Sequence, residues 1–306
     1  MPGSTRTIKL TPSTAQSASA GCSVQATTTI QNAADASALA SCATFEGSIA
    51  IATGTTENIN FDGIQRIEGS LMAENSTLSQ ISGGDLETIT DTFGLDELTS
   101  LTSLNFPRLT NVDTIDWVSL PNLQGLSFTT GVQQASSVSI QNTQLNSLEG
   151  INLEVVDTLY IANNPYLSNI QMQLGNITNS LVIEANAQQA AGNTNGTIVE
   201  LTNLEWAFNM TFRNVSTVLI PSLRSLNGSM GFYGNSMESI SAENLTEVGG
   251  TLSFVENAAL TNITMPNLQI VEGGFLIANN TDLEEVSFPA LETIGGALDF
   301  NGPFTE

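Results

Sequence analysis

The chain has 306 residues, with 30 acids against 6 bases, a formal net charge of −24 and no histidine. A surface so negative excludes nucleic acid as a partner and disfavours an anionic membrane surface, because binding phosphate needs the opposite field. Without histidine, Ser–His–Asp and Cys–His catalysis and His-ligated zinc or iron are also excluded, which leaves carboxylate chemistry as the open catalytic route.

Residues 1–21, MPGSTRTIKLTPSTAQSASAG, hold no apolar run and read as a disordered leader or an expression remnant rather than a signal peptide. Residues 22–48 read as an N-terminal cap. Cys22 and Cys42 are the only cysteines, and QNAADASALASC between them reads as a short helix with Ala34, Leu39 and Ala40 apolar. A solenoid must close its first edge with something other than another turn. A helix stapled by a Cys22–Cys42 disulfide would do so in an oxidising compartment, two unpaired buried thiols being the alternative.

From Ile49 to the end one unit recurs. Leu252, Phe254, Asn257, Leu260, Ile263, Pro266, Leu268, Val271 and Gly273 match Phe275, Ile277, Asn280, Leu283, Val286, Pro289, Leu291, Ile294 and Gly296 at a constant offset. Equivalent first residues fall at Ile49, Leu71, Phe93, Ile115, Val138, Leu159, Leu181, Met210, Met230, Leu252, Phe275 and Leu298. A second apolar side chain two places on gives strand periodicity, and no convincing amphipathic helix follows. The expected fold is all-β: a right-handed, single-chain parallel β-helix, a leucine-rich-repeat-like solenoid of the receptor L-domain type, with a short helical cap. Residues 49–306 would form about twelve coils spaced about 4.8 Å apart. Leu298 and Phe300 open a coil that Pro303 and Glu306 leave unfinished, so the solenoid is expected to be truncated at its C-terminal end. No stretch is apolar enough to span a bilayer as a helix.

Asn164, Asn186, Asn235, Asn257 and Asn280 occupy the sixth position of their coils, and Asn75, Asn142 and Asn214 sit one place earlier. An amide repeated at a corner can donate to a backbone carbonyl and accept from its neighbour, so the set reads as a structural ladder. Leu98 and Leu120 interrupt it, and a locally different corner is expected there.

Outward strand positions are the place to look for chemistry. Glu74 and Asp96 share a row, with Asp116 in the next coil, a grouping that would suit glycosidase-like acid–base work. Glu184 and Arg213 are expected as cross-strand neighbours with Tyr233 following. Tyr233, Val255 and Leu276 would form a modest exposed apolar strip, the preferred binding face. No calcium-binding loop is present, and neither a metal nor a cofactor is expected. Nine N-x-S/T sequons, at Asn75, Asn176, Asn195, Asn209, Asn214, Asn227, Asn244, Asn262 and Asn279, stand against about seven expected from composition. Together with the paired cysteines and acidic surface they favour a secreted glycoprotein. The longest step, Leu181 to Met210, carries AQQAAGNTNG, which reads as a polar surface loop.

The segments CATFEGSIAIATGTT, SSVSIQNTQLNSLEGINLEVVDTL, NLEWAFNMTFRN and GGALDFNGPFTE resemble the fungal GPI-anchored cell-wall organisation proteins, relatives of yeast sporulation-specific wall proteins with receptor L-domain-like repeats. The resemblance covers residues 22–306. It implies a heavily glycosylated, non-enzymatic extracellular protein of the cell wall and the outer face of the plasma membrane, needed for wall assembly and integrity. It offers no catalytic residues or ligand. Such proteins have a secretory signal, a second cysteine-containing cap, a Ser/Thr-rich stalk and an anchor signal, none of which this sequence displays, so membrane attachment is expected only through an anchor this chain lacks. The expected role is a wall scaffold or interaction module whose partners are wall glycans or wall proteins. The alternatives are a receptor-like module binding a peptide or glycan on its outward strands, or a carboxylate-dependent glycan hydrolase.

Overall fold

The computed structural model describes residues 21–188 and 196–302; the predicted leader to residue 20, the sequon at Asn195 and residues 303–306 lie outside them. The fold is a parallel β-solenoid. Its front face stacks twelve strands from Ile49–Ile51 to Leu298–Asn301. Leu252 pairs with Phe275 and Phe254 with Ile277, so residues matched in the repeat lie directly over one another. A side face begins with Thr44–Glu46 and Arg66–Glu68 and continues to Thr293–Ile294. In coils such as Thr88–Asp96, Asn111–Leu120 and Trp206–Arg213 one long strand serves both faces. The ladder shifts register between Val112 and Thr114 and between Val156 and Thr158, the irregularity that lets these strands turn the corner. Among the described residues the back is three short sheets, beginning at Ile59–Asn60, Asn169–Gln171 and Ser239–Ser241.

Before the first full coil, Thr28–Ile30 already pairs in parallel with Ile49–Ile51. The one helix among the described residues, α1 (Ala33–Ala38), starts because the Asn32 side chain accepts from the backbone N–H of Ala34 and Asp35, satisfying donors that have no partner within the helix. Ala36 and Leu39 are buried against the core, and Cys22 and Cys42 are disulfide-bonded.

Two packing regimes fill the rod. Phe93, Phe106, Trp117 and Phe128 form a closed edge-to-face group with centroids 5.3–6.0 Å apart. Further along, Phe212, Phe232 and Phe254 stack nearly parallel at 5.2 and 5.0 Å, as equivalent rings one coil apart must when each occupies the same inward position.

The asparagines divide into two groups. Asn257 is fully buried: its Nδ2 donates to the Phe232 carbonyl and to Asn280 Oδ1, both at 3.0 Å, and its Oδ1 accepts from the backbone N–H and Nδ2 of Asn235, both at 2.9 Å. The same pattern links Asn164 to Asn186, ending where Thr143 donates to Asn164 Oδ1. Asn75, Asn142 and Asn214 are not part of this ladder. They hold the left-handed corner, with φ of 47°, 54° and 54°, a conformation asparagine tolerates better than most side chains. The corner expected to differ at Leu98 and Leu120 does not: Glu97 and Ser119 carry the same left-handed bend, φ 53° and 59°, and both leucines are buried. Backbone geometry sets the corner. The residue after it chooses whether the interior there is amide, hydroxyl (Ser76, Thr143) or hydrocarbon, and the leucines fall where the interior is aromatic.

Candidate functional site

The front face offers two outward positions per strand. One row carries Glu184, Arg213, Tyr233, Val255 and Ala278 in consecutive coils. Tyr160 Oη donates to Glu184 Oε1 at 2.7 Å, Arg213 Nε lies 3.6 Å from Glu184 Oε2, and the Arg213 guanidinium sits 4.5 Å above the Tyr233 ring centroid. Partial burial, then the hydrogen bond to Glu184 and its charge, push the Tyr160 phenol up to about 12. The Tyr233 ring covers Gly231, where an added Cβ would stand 2.3 Å from the ring. These side chains form one ordered aromatic, guanidinium and carboxylate chain across four coils.

The strip expected from Tyr233, Val255 and Leu276 is less exposed than the sequence suggests, each residue being half-buried. Register also separates it into two rows: Val255 faces Ala278, and Leu276 faces Ser253, itself only 4% exposed. The cause is the two-residue strand period, which puts Leu276 in the other outward position.

Glu74 and Asp96 are direct cross-strand partners, while Asp116 stands opposite Gly94 in the neighbouring row. Partial desolvation, then the charges of Glu97, Glu74 and Asp116, raise Asp96 above the ordinary carboxylate value, opposed by the Glu97 backbone N–H. None of these acids lines the groove of about 600 Å³ on the side face, whose polar walls include Asn111, Asp113, Gln134, Ser136, Glu154 and Asp157. Among the described residues no group of three or more His, Cys, Asp or Glu side chains is arranged to hold a metal ion.

The chain is 46% identical over 281 residues to "Protein ecm33" of Aspergillus fumigatus, an alignment spanning 92% of this chain and 69% of that protein. A cell surface GPI-anchored protein of Arthroderma benhamiae is 44% identical over 278 residues, 90% of this chain and 70% of its own. This chain belongs to the Ecm33 family of fungal cell-wall and cell-surface proteins. Sporulation-specific protein 2 of Saccharomyces cerevisiae is a further relative, 34% identical over 244 residues that cover 79% of this chain and 47% of that protein. No family model and no solved structure matches the chain. Membership confirms the family resemblance and assigns this Ecm33-family rod to the extracellular wall and cell surface.

That location bears on the sequons. Asn75, Asn176, Asn227, Asn244 and Asn279 are exposed, and Asn209, Asn214 and Asn262 are half-buried. The half-buried group is tied into the fold: Asn209 Oδ1 accepts from Ser229 N at 2.8 Å and Asn214 Nδ2 donates to the Asn186 carbonyl at 3.2 Å.

Sequence reasoning missed one surface. Trp206 and Phe208 both point outward from the side face around the buried Ala207, and Phe208 is 41% exposed. The signal was present in EWAFN: alternation with a small inward residue puts both rings on the outside.

Proposed function

We propose that this rod is a non-enzymatic scaffold and interaction module of the fungal wall, working by presentation: stacked coils hold outward side chains and attached glycans at fixed spacing. The observation that carries the reading is the uninterrupted front-face ladder, stiffened by two runs of buried asparagines, Asn164–Asn186 and Asn235–Asn257–Asn280, that bond one coil to the next. Two of the relatives named above carry surface or sporulation names, a further relative from Schizosaccharomyces pombe is a cell wall protein ecm33, and the anchored relative supports a surface role for this chain too. Its partners on this reading are wall glycans or wall proteins.

The test is complementation of a strain lacking the protein, scored by growth on wall-perturbing dyes. Variants that break the interior ladder should fail, whereas charged substitutions on one face should be tolerated singly. Full rescue by a rod with a broken ladder would overturn the proposal.

A receptor-like reading is favoured by one feature, the ordered Tyr160–Glu184–Arg213–Tyr233 chain beside Val255 and Leu276. Scanning Tyr233, Val255 and Leu276 to charged residues separates the two readings, since a scaffold keeps its partners and a receptor loses one. Hydrolysis by Glu74, Asp96 and Asp116 is tested by converting all three to amides and measuring turnover of wall glucan or mannan.

A further inference from the structure

The outward ring pair on the side face has specific neighbours. Trp206 pairs with Asn176 on the preceding coil and with Ser225 on the following one. Gly228 N donates to the Phe208 carbonyl at 2.8 Å, which brings Asn227 alongside Phe208. The Trp206 indole Nε1–H donates to Asn227 Oδ1 at 3.2 Å. An outward indole, an outward phenyl ring and a sequon amide thus share one patch of two adjacent coils.

Each contact is compatible with a sugar on Asn227. Glycosylation forms a bond at Nδ2 and leaves Oδ1 as the acceptor, so the indole bond survives and fixes the amide from which the saccharide would grow. No hydrogen bond of the described structure uses Asn227 Nδ2, unlike the amide nitrogen of Asn209, Asn214 or Asn244. The next residue must be glycine, since a Cβ on Gly228 would stand 2.3 Å from Asn209 Oδ1 and 2.6 Å from the Phe208 carbonyl oxygen. That close approach fixes the backbone immediately after the sequon asparagine. The C–H faces of a pyranose ring are apolar and match an aromatic face, and they carry no charge for the acidic surface to repel.

We infer that Trp206 and Phe208 are the seat of the protein's own N-linked core saccharide, attached at Asn227 and folded back over the two rings. The inference rests on the extracellular route that family membership assigns and names which sequon is built to hold its glycan. In this arrangement the outward aromatic pair is covered in the mature protein and is not a site for a free polysaccharide.

The test uses the full chain secreted from a glycosylating host. Glycopeptide mass spectrometry should find Asn227 occupied; an unmodified Asn227 overturns the proposal. Trp117 is fully buried and Trp206 half-buried, so acrylamide quenching reports mainly on Trp206, with W206F as the blank. S229A removes the sequon and keeps the Asn227 amide that the indole holds. Quenching should rise about twofold in S229A, because the ring face the sugar covers becomes accessible. S229T, which keeps the sequon, should match the parent, and so should N176Q, which removes the neighbouring one. Unfolding midpoints of S229A and S229T check that loss of the Ser229 hydroxyl, which accepts from Thr251 N at 3.0 Å, has not opened the coil. Unchanged quenching in S229A with a native midpoint, an increase in N176Q instead, or protection of Trp206 that appears only when soluble wall glucan is added would each overturn the proposal. Full wall complementation by a rod with a broken ladder, the sugar being correctly seated in the parent, would count against the scaffold reading alone.

Discussion

Replacing Asn257 by alanine tests whether the buried amides hold the rod together. The substitution removes four side-chain hydrogen bonds, leaving the Asn235 backbone N–H and one N–H of its side-chain amide without acceptors in the interior. A buried donor stripped of its partner costs about 1–3 kcal/mol, so two such donors predict a loss of about 2–6 kcal/mol, with partial relaxation bringing it towards about 3 kcal/mol. Stability in a solenoid is a sum over coils and neighbour interfaces, so a global midpoint alone would dilute the effect. Native-state hydrogen exchange of the Asn235 amide is the sharper assay, and its protection should fall by two orders of magnitude or more, the factor of ten per 1.4 kcal/mol applied to about 3 kcal/mol. Asn142→Gly is the matched control. Asn142 is exposed and holds a left-handed bend, so glycine there should be neutral or slightly stabilising. An N257A variant with unchanged Asn235 protection, or an N142G variant as damaged as N257A, would refute the division of the asparagines into two roles.

Four further outcomes are expected. The raised pKa of Asp96 means the native state holds that proton more tightly than the unfolded chain does, so ionisation opposes folding at neutral pH and the penalty disappears below the unfolded value of 3.8. D96N should therefore raise the thermal midpoint at pH 7 and leave it unchanged near pH 3. Tyr160→Phe should cost about 1–3 kcal/mol at pH 7 through loss of a hydrogen bond to a carboxylate. With the native phenol at about 12 against 10.0 unfolded, that contribution is complete below pH 10 and is lost towards pH 12, so denaturant titrations of the two proteins should converge across that interval. Gly231→Ala should displace the Tyr233 ring and cost about 1–3 kcal/mol; in a Tyr233→Ala background the same change should be nearly silent by chemical denaturation. Removing the Cys22–Cys42 bridge with paired serines should cost about 3 kcal/mol from loop entropy, read as increased exchange in Thr28–Ile30 before the rest of the rod.

Much of this architecture is present in the sequence as a period. The offset joining Leu252 to Phe275 appears in space as a direct cross-strand pair, because a parallel coil repeats its own environment one strand spacing away. The inward column, the outward acids Glu74 and Asp96, and the Glu184–Arg213–Tyr233 series follow from counting alternate residues. Counting fails where the chain leaves strand geometry. Asn75 and Asn164 differ by one position in their coils, yet one is an exposed left-handed bend and the other an interior amide. Leu276 stands one row away from where an apolar tally places it.

What the sequence by itself determined is the solenoid, its acidic exterior and its membership of a wall-protein family, all properties of a pattern repeated in one dimension. Only the tertiary structure decided which asparagines carry the interior, that Tyr233 lies beneath Arg213, and that Trp206 reaches Asn227 on the next coil. Those facts depend on side-chain direction and on contacts between residues some twenty positions apart, and chain order carries no record of where a rotamer points until the coils are stacked.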